Sequence, residues 1–306
     1  MSRRRQRGRR IDGWLIIDKP SGMTSTHVVN RVKRLTDAMK AGHGGTLDPL
    51  ATGVLPLALG EATKTVMYVM DAPKRYRFTI RLGSATTTDD SEGTVTRSSD
   101  RRPTDAAIIE ALTVFEGHVM QRPPDFAAVK VAGERAYDLA RRGEVVDLPP
   151  REVHFMEISL VERPDADHAV LEARCGKGAY IRALARDLGE ALGCFAHVTA
   201  LRRLEVGAFT ADAAIDLDTL VQIVQDDSLP QALVPVSTAL ADIPALAVTE
   251  PQAARLRSGH PIQIATRLIV GEAMDGGTIQ AVREGEVVAL GRLADGELSP
   301  LRVFNR

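Results

Sequence analysis

Apolar residues follow two different periods along the chain. Gly13–Ile17 is a short apolar run closed by Asp18-Lys19-Pro20-Ser21-Gly22, which predicts a strand ending in a tight turn. From about Ser25 the spacing changes: Val28, Val29, Val32 and Leu35 share one face of a helix, with Arg31 and Arg34 elsewhere. Residues 41–53 are rich in glycine and carry two turn dipeptides, so they predict a long loop. A buried strand over Val54–Leu59 and a short helix over Glu61–Met70 follow. Arg75–Leu82 alternates cleanly, with Tyr76, Phe78, Ile80 and Leu82 on one face and Arg75, Arg77, Thr79 and Arg81 on the other. Thr104 can cap a helix whose apolar residues are Ile108, Ile109, Leu112 and Phe115.

Residues 121–150 begin and end in prolines and read as an inserted hairpin plus helix. Strands are predicted over 151–162 and 168–175, then a helix over Tyr180–Leu192 entered through Cys175-Gly176-Lys177-Gly178, then a strand near 196–206. Beyond about Pro235 the texture shifts to short β-prone pieces between glycines: Ile262–Ile264, Ile269–Gly271, Val287–Leu290 and Leu301–Phe304. Strands and helices do not alternate strictly in the first part. The predicted class is therefore α+β, a mixed or antiparallel central sheet with flanking helices, joined to a small β-rich C-terminal domain. The expected divisions are a basic disordered tail over 1–10, a main domain over 11–235 and a second domain over 236–306.

Composition agrees with a folded chain of 306 residues, 44% hydrophobic and 26% charged. Cys175 and Cys194 have no zinc or CxxC spacing, and no apolar run is long enough to span a membrane, so a cytoplasmic protein is expected. Net charge is −1, yet residues 1–10 hold six arginines and no acid. The remainder has 33 basic against 40 acidic residues. Any surface for RNA must be local: the tail, and clusters such as Arg31-Val32-Lys33-Arg34 and Arg202-Arg203.

The chain has no GxxxxGK[ST], no GxGxxG after a strand, no HExxH and no GxSxG. A reaction without cofactor or metal is the expectation. Taken singly, the polar residues have plain readings. Asp48-Pro49 starts a turn, His43 is a loop histidine, Tyr76 a core aromatic, Arg182 a solvated helix residue and Asp90 a turn acid.

In combination they mean more. GWLIIDKPSGMTST, GHGGTLDPLATGVLPLALGEATK, YRFTIRLG, CGKGAYIRALARDLG and LRRLEVGAF occur in that order, and together they resemble the TruB family of tRNA pseudouridine-55 synthases. GEVVALGRL and LRVF resemble the PUA-like RNA-binding domain that ends bacterial members. The resemblance implies an isomerase of one T-loop uridine, working by base flipping without a cofactor, as a cytoplasmic monomer whose partner is the T arm of tRNA.

It further implies Asp48 as the catalytic residue, Arg182 paired with it, and Tyr76 stacked on the target base. His43, Tyr180, Leu201, Lys19 and Asp90 become substrate-binding positions. Apart from the resemblance, the prolines that stiffen the ends of 121–150 and the phosphate contacts offered by Lys130, Arg135, Arg141 and Arg142 read as a segment that clamps RNA, the alternative being a structural excursion with a solvated basic face. Two departures stand out: Thr87 replaces an acid of the usual TDTxDxxG, and Phe126-Ala127 replace the common Tyr-Ser. Both are expected to lie away from Asp48. The competing readings are a synthase for another RNA, an inactive RNA-binding adaptor, and a nuclease or NTPase.

Overall fold

The computed structural model describes residues 8–127, 129–131, 134–135, 142, 148–264, 269–270 and 275–305. Among these, nine strands form one mixed sheet. Its main path runs β1 (Gly13–Lys19), β3 (Thr52–Leu59), β12 (Ala196–Val206), β4 (Lys74–Leu82), β11 (His168–Cys175), β10 (Arg151–Glu162) and β7 (Gly117–Gln121). Neighbours are antiparallel except β3 and β12, which pair in parallel through Thr52–Arg202 and Gly53–Arg203. β2 (Ala41–His43) adds to β3, and the ninth strand, Phe209–Thr210, to β12. Two small hairpins complete this part: β5 (Ser84–Thr86) with β6 (Val95–Ser98), and β8 (Lys130–Val131) with β9 (Glu134–Arg135).

The apolar run of β1 has a direct cause. Leu15 and Ile17 face a core shared with helices α1 (Ser25–Thr36), α3 (Asp105–Leu112), α4 (Ile181–Ala191) and α5 (Leu217–Gln225). Trp14 and Ile16 face a second core with Val236, Leu240, Leu290 and Phe304. A strand covered on both faces has no reason to alternate. The same holds for β3, whose Leu55, Leu57 and Leu59 lie on one side and Val54 and Ala58 on the other. Strand β4 alternates as expected, with Phe78, Ile80 and Leu82 buried and Arg75, Arg77 and Arg81 exposed.

The C-terminal part forms a six-stranded sheet ordered Ile262–Gln263, Glu297–Val303, Glu286–Ala294, Thr278–Arg283, Ala245–Ala247 and Ile269–Val270. Its own core holds Leu246, Leu256, Ile279, Ala289 and Leu298. It also docks on the main sheet, where Lys64 donates to the Val303 carbonyl at 2.7 Å and Asn305 N donates to Glu61 at 2.7 Å.

Several expectations need correction. Residues 41–53 are not one loop: Ala41–His43 is a strand, because its backbone pairs with Leu57–Leu59, and β3 already begins at Thr52. The expected helix at 61–70 opens as a 3-10 turn over Gly60–Thr65 before α2 (Val66–Asp71). The hairpin expected within 121–150 is β8–β9, while the helix expected after it, Arg141, the tail residues 1–7 and Gly271 lie outside the described residues. No helix among the described residues is long and apolar enough to cross a membrane.

Candidate active site

The Asp48-Pro49 pair does start a turn: Ala51 N donates to the Asp48 carbonyl at 3.1 Å. The segment around it is pinned from three sides. The Ser25 hydroxyl accepts from Leu47 N at 2.8 Å and donates to its carbonyl at 3.1 Å. Lys19, fully buried, donates to the carbonyls of Pro20, Met23 and Pro49 at 2.9, 2.6 and 3.1 Å. Arg203, also fully buried, donates to the carbonyls of Gly45, Thr46 and Val54 at 3.0, 3.3 and 2.8 Å. Burial lowers the Lys19 ammonium to about 8; the charge of Asp48 opposes that shift and Arg203 adds to it.

With its backbone occupied, Asp48 sends its side chain to helix α4. Arg182 donates from Nε to Asp48 Oδ2 at 2.9 Å. Its two other nitrogens donate to the carbonyls of Thr88 and Phe126, each at 3.0 Å. The guanidinium is thus fixed in three directions in one plane. The Arg182 side chain is 4% exposed and that of Asp48 34%, so the acid faces open space and its partner does not.

Asp90 stands behind the pair, 3.7 Å from Arg182 Nε and buried. It accepts from the Thr88 hydroxyl and from Glu92 N. One turn further along α4, Arg186 donates to Asp89 at 3.1 Å, as the four-residue spacing allows. Burial raises Asp89 to about 6, and Arg186 and Arg182 pull it back.

A cavity of about 320 Å³ opens on this cluster, lined by Asp48, Pro49, Thr88, Asp90, Phe126 and Arg182, with Thr87 also on its wall. Thr87 and Phe126 are therefore not remote from Asp48. Chain folding brings residues 87–94 and 126 to it, which their distance in sequence conceals. The hydrogen bond from Arg182 goes to the backbone carbonyl of Phe126, so that bond does not depend on which side chain stands there.

Other expected residues surround the acid. Tyr180 caps α4, and its backbone N and O are both held by the buried Gln121, at 2.8 and 3.1 Å. Burial, and then the charge of Asp48, push the Tyr180 hydroxyl up. Tyr76 lies opposite Arg203 on neighbouring strands; burial is the main cause of its raised pKa, and Asp48 adds to it. Both tyrosines stay protonated near neutral pH and can donate. His43 ends β2, where its Nδ1 accepts from Gly45 N at 3.4 Å. Leu201 is buried opposite Phe78. Tyr76, Tyr180, His43 and Leu201 do not line the cavity described above.

Arg203 and Gln121 were missed as site residues. The expectation of an RNA-facing surface at Arg202-Arg203 fails at Arg203, which is buried. Arg202 forms a two-pronged pair with Asp18 at 2.9 and 2.7 Å, and Arg203 points into the protein. The clue was parity: Leu201 and Arg203 share the inward side of β12.

Residues 33–181 match the TruB family pseudouridylate synthase (N terminal domain), and 182–241 match the tRNA pseudouridylate synthase B C-terminal domain. The junction falls in the first turn of α4, so the two matches share the site. A protein of Gluconacetobacter diazotrophicus called tRNA pseudouridine synthase B is 56% identical, over 98% of this chain and 100% of its own length. One of Cereibacter sphaeroides with the same name is 52% identical over 99% of both. Among solved structures, a Cbf5-Nop10-Gar1 complex aligns with a TM-score of 0.74 at 26% identity, covering 96% of this chain and 84% of that one. A chain of an H/ACA RNP bound to a substrate RNA containing 2′-deoxyuridine shares the fold, with a TM-score of 0.75 at 24% identity over 100% and 92%.

Fold, site and relatives together define a class, the pseudouridine synthases, which are isomerases. Within that class the chain belongs to the TruB family.

Proposed function

We propose that the chain isomerises the T-loop uridine at position 55 of tRNA to pseudouridine, with Asp48 as the catalytic residue. The N1–C1′ bond breaks, the uracil turns, and a C5–C1′ bond forms; the C5 proton leaves to water and N1 gains one. Nothing is oxidised and no group is carried in. The reading rests on one contact, Arg182 Nε to Asp48 Oδ2 at 2.9 Å, in which a shut-in guanidinium holds an accessible carboxylate. Arg182 is then a positioning residue that aims Asp48, itself fixed by the carbonyls of Thr88 and Phe126.

The other residues take supporting roles. Tyr76 stacks on the flipped base, a contact of roughly 1–3 kcal/mol, which offsets part of the few kcal/mol that unstacking costs. His43 fills the gap left in the RNA loop. Tyr180 and Leu201 flank the base, Lys19 supports the floor through Pro49, and Asp90 backs Arg182. Segment 121–150 closes over the RNA, and the β-rich part over 236–306 is a PUA-like domain that holds it. The names of the relatives support tRNA as the partner. The test is incubation with tRNA tritiated at uridine C5. Tritium release without added cofactor is expected from normal tRNA, and none from tRNA with cytidine at that position; equal release from both would reject the assigned target.

A further inference from the structure

Two basic clusters stand out in the sequence. Arg203 is buried against backbone carbonyls and Arg202 is held in a two-pronged pair with Asp18. The cluster on α1 is the freer of the two. Val28, Val29 and Val32 face the core, which leaves His27, Asn30, Arg31 and Arg34 on the outer side at spacings of three and four residues. These four, with Met23, Lys33, Asp37 and Ala38, line an open groove of about 780 Å³.

Charge in the groove favours an anion. Lys33 and Arg34 have no side-chain partner among the described residues. Arg31 is 3.5 Å from Asp218, itself 96% exposed, a pair that water screens. Asp37 is the acid on the groove wall. At the far end, Arg9 N donates to the Asp37 carbonyl and Met39 N to the Arg9 carbonyl, so Arg9 joins the fold there. At the near end, Met23 shares the Lys19 ammonium with Pro49, the residue after Asp48. The groove therefore begins beside the catalytic turn and leads away from it. From His27 to Arg34 the helix rises about 10 Å, a span suited to consecutive phosphates of one strand.

We propose that the outer face of α1 is a phosphate-binding surface for the RNA stem that carries the target loop. This rests on the tRNA reading above. Contacts of this kind set register and affinity without reading bases.

The experiment measures the Kd of full-length chain for tRNA from about 50 to 200 mM salt, comparing the parent with Arg31→Ala/Arg34→Ala and Arg31→Lys/Arg34→Lys. Each lost phosphate contact should flatten the log–log slope by about 0.7–0.9. The alanine pair should therefore lose about 1.5 in slope, raise Kd and KM about tenfold at low salt, and leave the single-turnover rate at saturating tRNA near that of the parent. The lysine pair should keep the slope. An alanine pair with the parental slope overturns the proposal and leaves the groove to a protein partner or to solvent. Tritium release by the parent is read separately, so failure of the tRNA reading and failure of the groove give different results.

Discussion

Asp48 keeps about a third of its side chain open while Arg182 is closed in, and that asymmetry suits the roles assigned to them. The three acceptors of Arg182 point in three directions, and an ammonium on a flexible stem cannot serve all three at these angles. Arg182→Lys should lower kcat about 10²–10³-fold with KM nearly kept; steady-state kinetics with tRNA check this, and a kcat within tenfold of the parent would break the pairing. Asp89 gives a pH test. Its pKa is raised by burial from 3.8 to about 6, so its folded form holds a proton more tightly than its unfolded form. Its contribution to stability is full below pH 4 and is lost as pH rises through 6, a change of up to about 3 kcal/mol. Asp89→Asn cannot ionise. Its melting temperature should gain on the parent between pH 5 and 7.5, and a constant difference over that range would contradict the assignment.

Among the elements, the close contact of β3 with β12 is tightly constrained. Gly53 has φ +98°, and a Cβ there would lie 2.2 Å from the Arg203 carbonyl oxygen. The oxygen is backbone and a Cβ is fixed by the backbone that bears it, so side-chain motion cannot relieve the clash. Gly53→Ala should destabilise the fold by more than about 2 kcal/mol and loosen the Gly45, Thr46 and Val54 contacts of Arg203. Thermal melting within about 1 °C of the parent would show that this approach is softer than the geometry requires. Periodicity made most elements legible: α1 by its valines, β4 by strict alternation, α4 by its CGKGAYIR entry. β2 was hidden because its three residues include a glycine and no alternation can be read from Ala41-Gly42-His43. The start of β3 was hidden because Thr52-Gly53 reads as turn chemistry, whereas this glycine serves close packing.

At the level of the molecule, the fold class, the β-rich end and the Asp48–Arg182 pair were all legible, the β-rich end through its short strand-prone pieces and the pair through motif resemblance. What could not be read was how distant segments meet. Thr87 and Phe126 come to the Asp48 cavity, and Arg203 turns inward, through tertiary contacts that no local pattern encodes. The same limit applies to the division expected at 235. Trp14, Ile16 and Val54 of the main sheet form one apolar cluster with Val236, Leu240, Leu290 and Phe304. A chain ending at residue 235 would expose Trp14, whose fully buried indole contributes several kcal/mol. Such a chain should melt at least 10 °C lower and self-associate; a monomer melting at the parental temperature would show that the two parts are independent.

The claim on which the rest depends is that the Asp48 side chain carries the isomerisation. Single-turnover tritium release by Asp48→Asn tests it most directly, since asparagine keeps the size and an acceptor for Arg182 but removes the charge. No release above background is predicted while tRNA still binds. Release within tenfold of the parental rate would contradict the account.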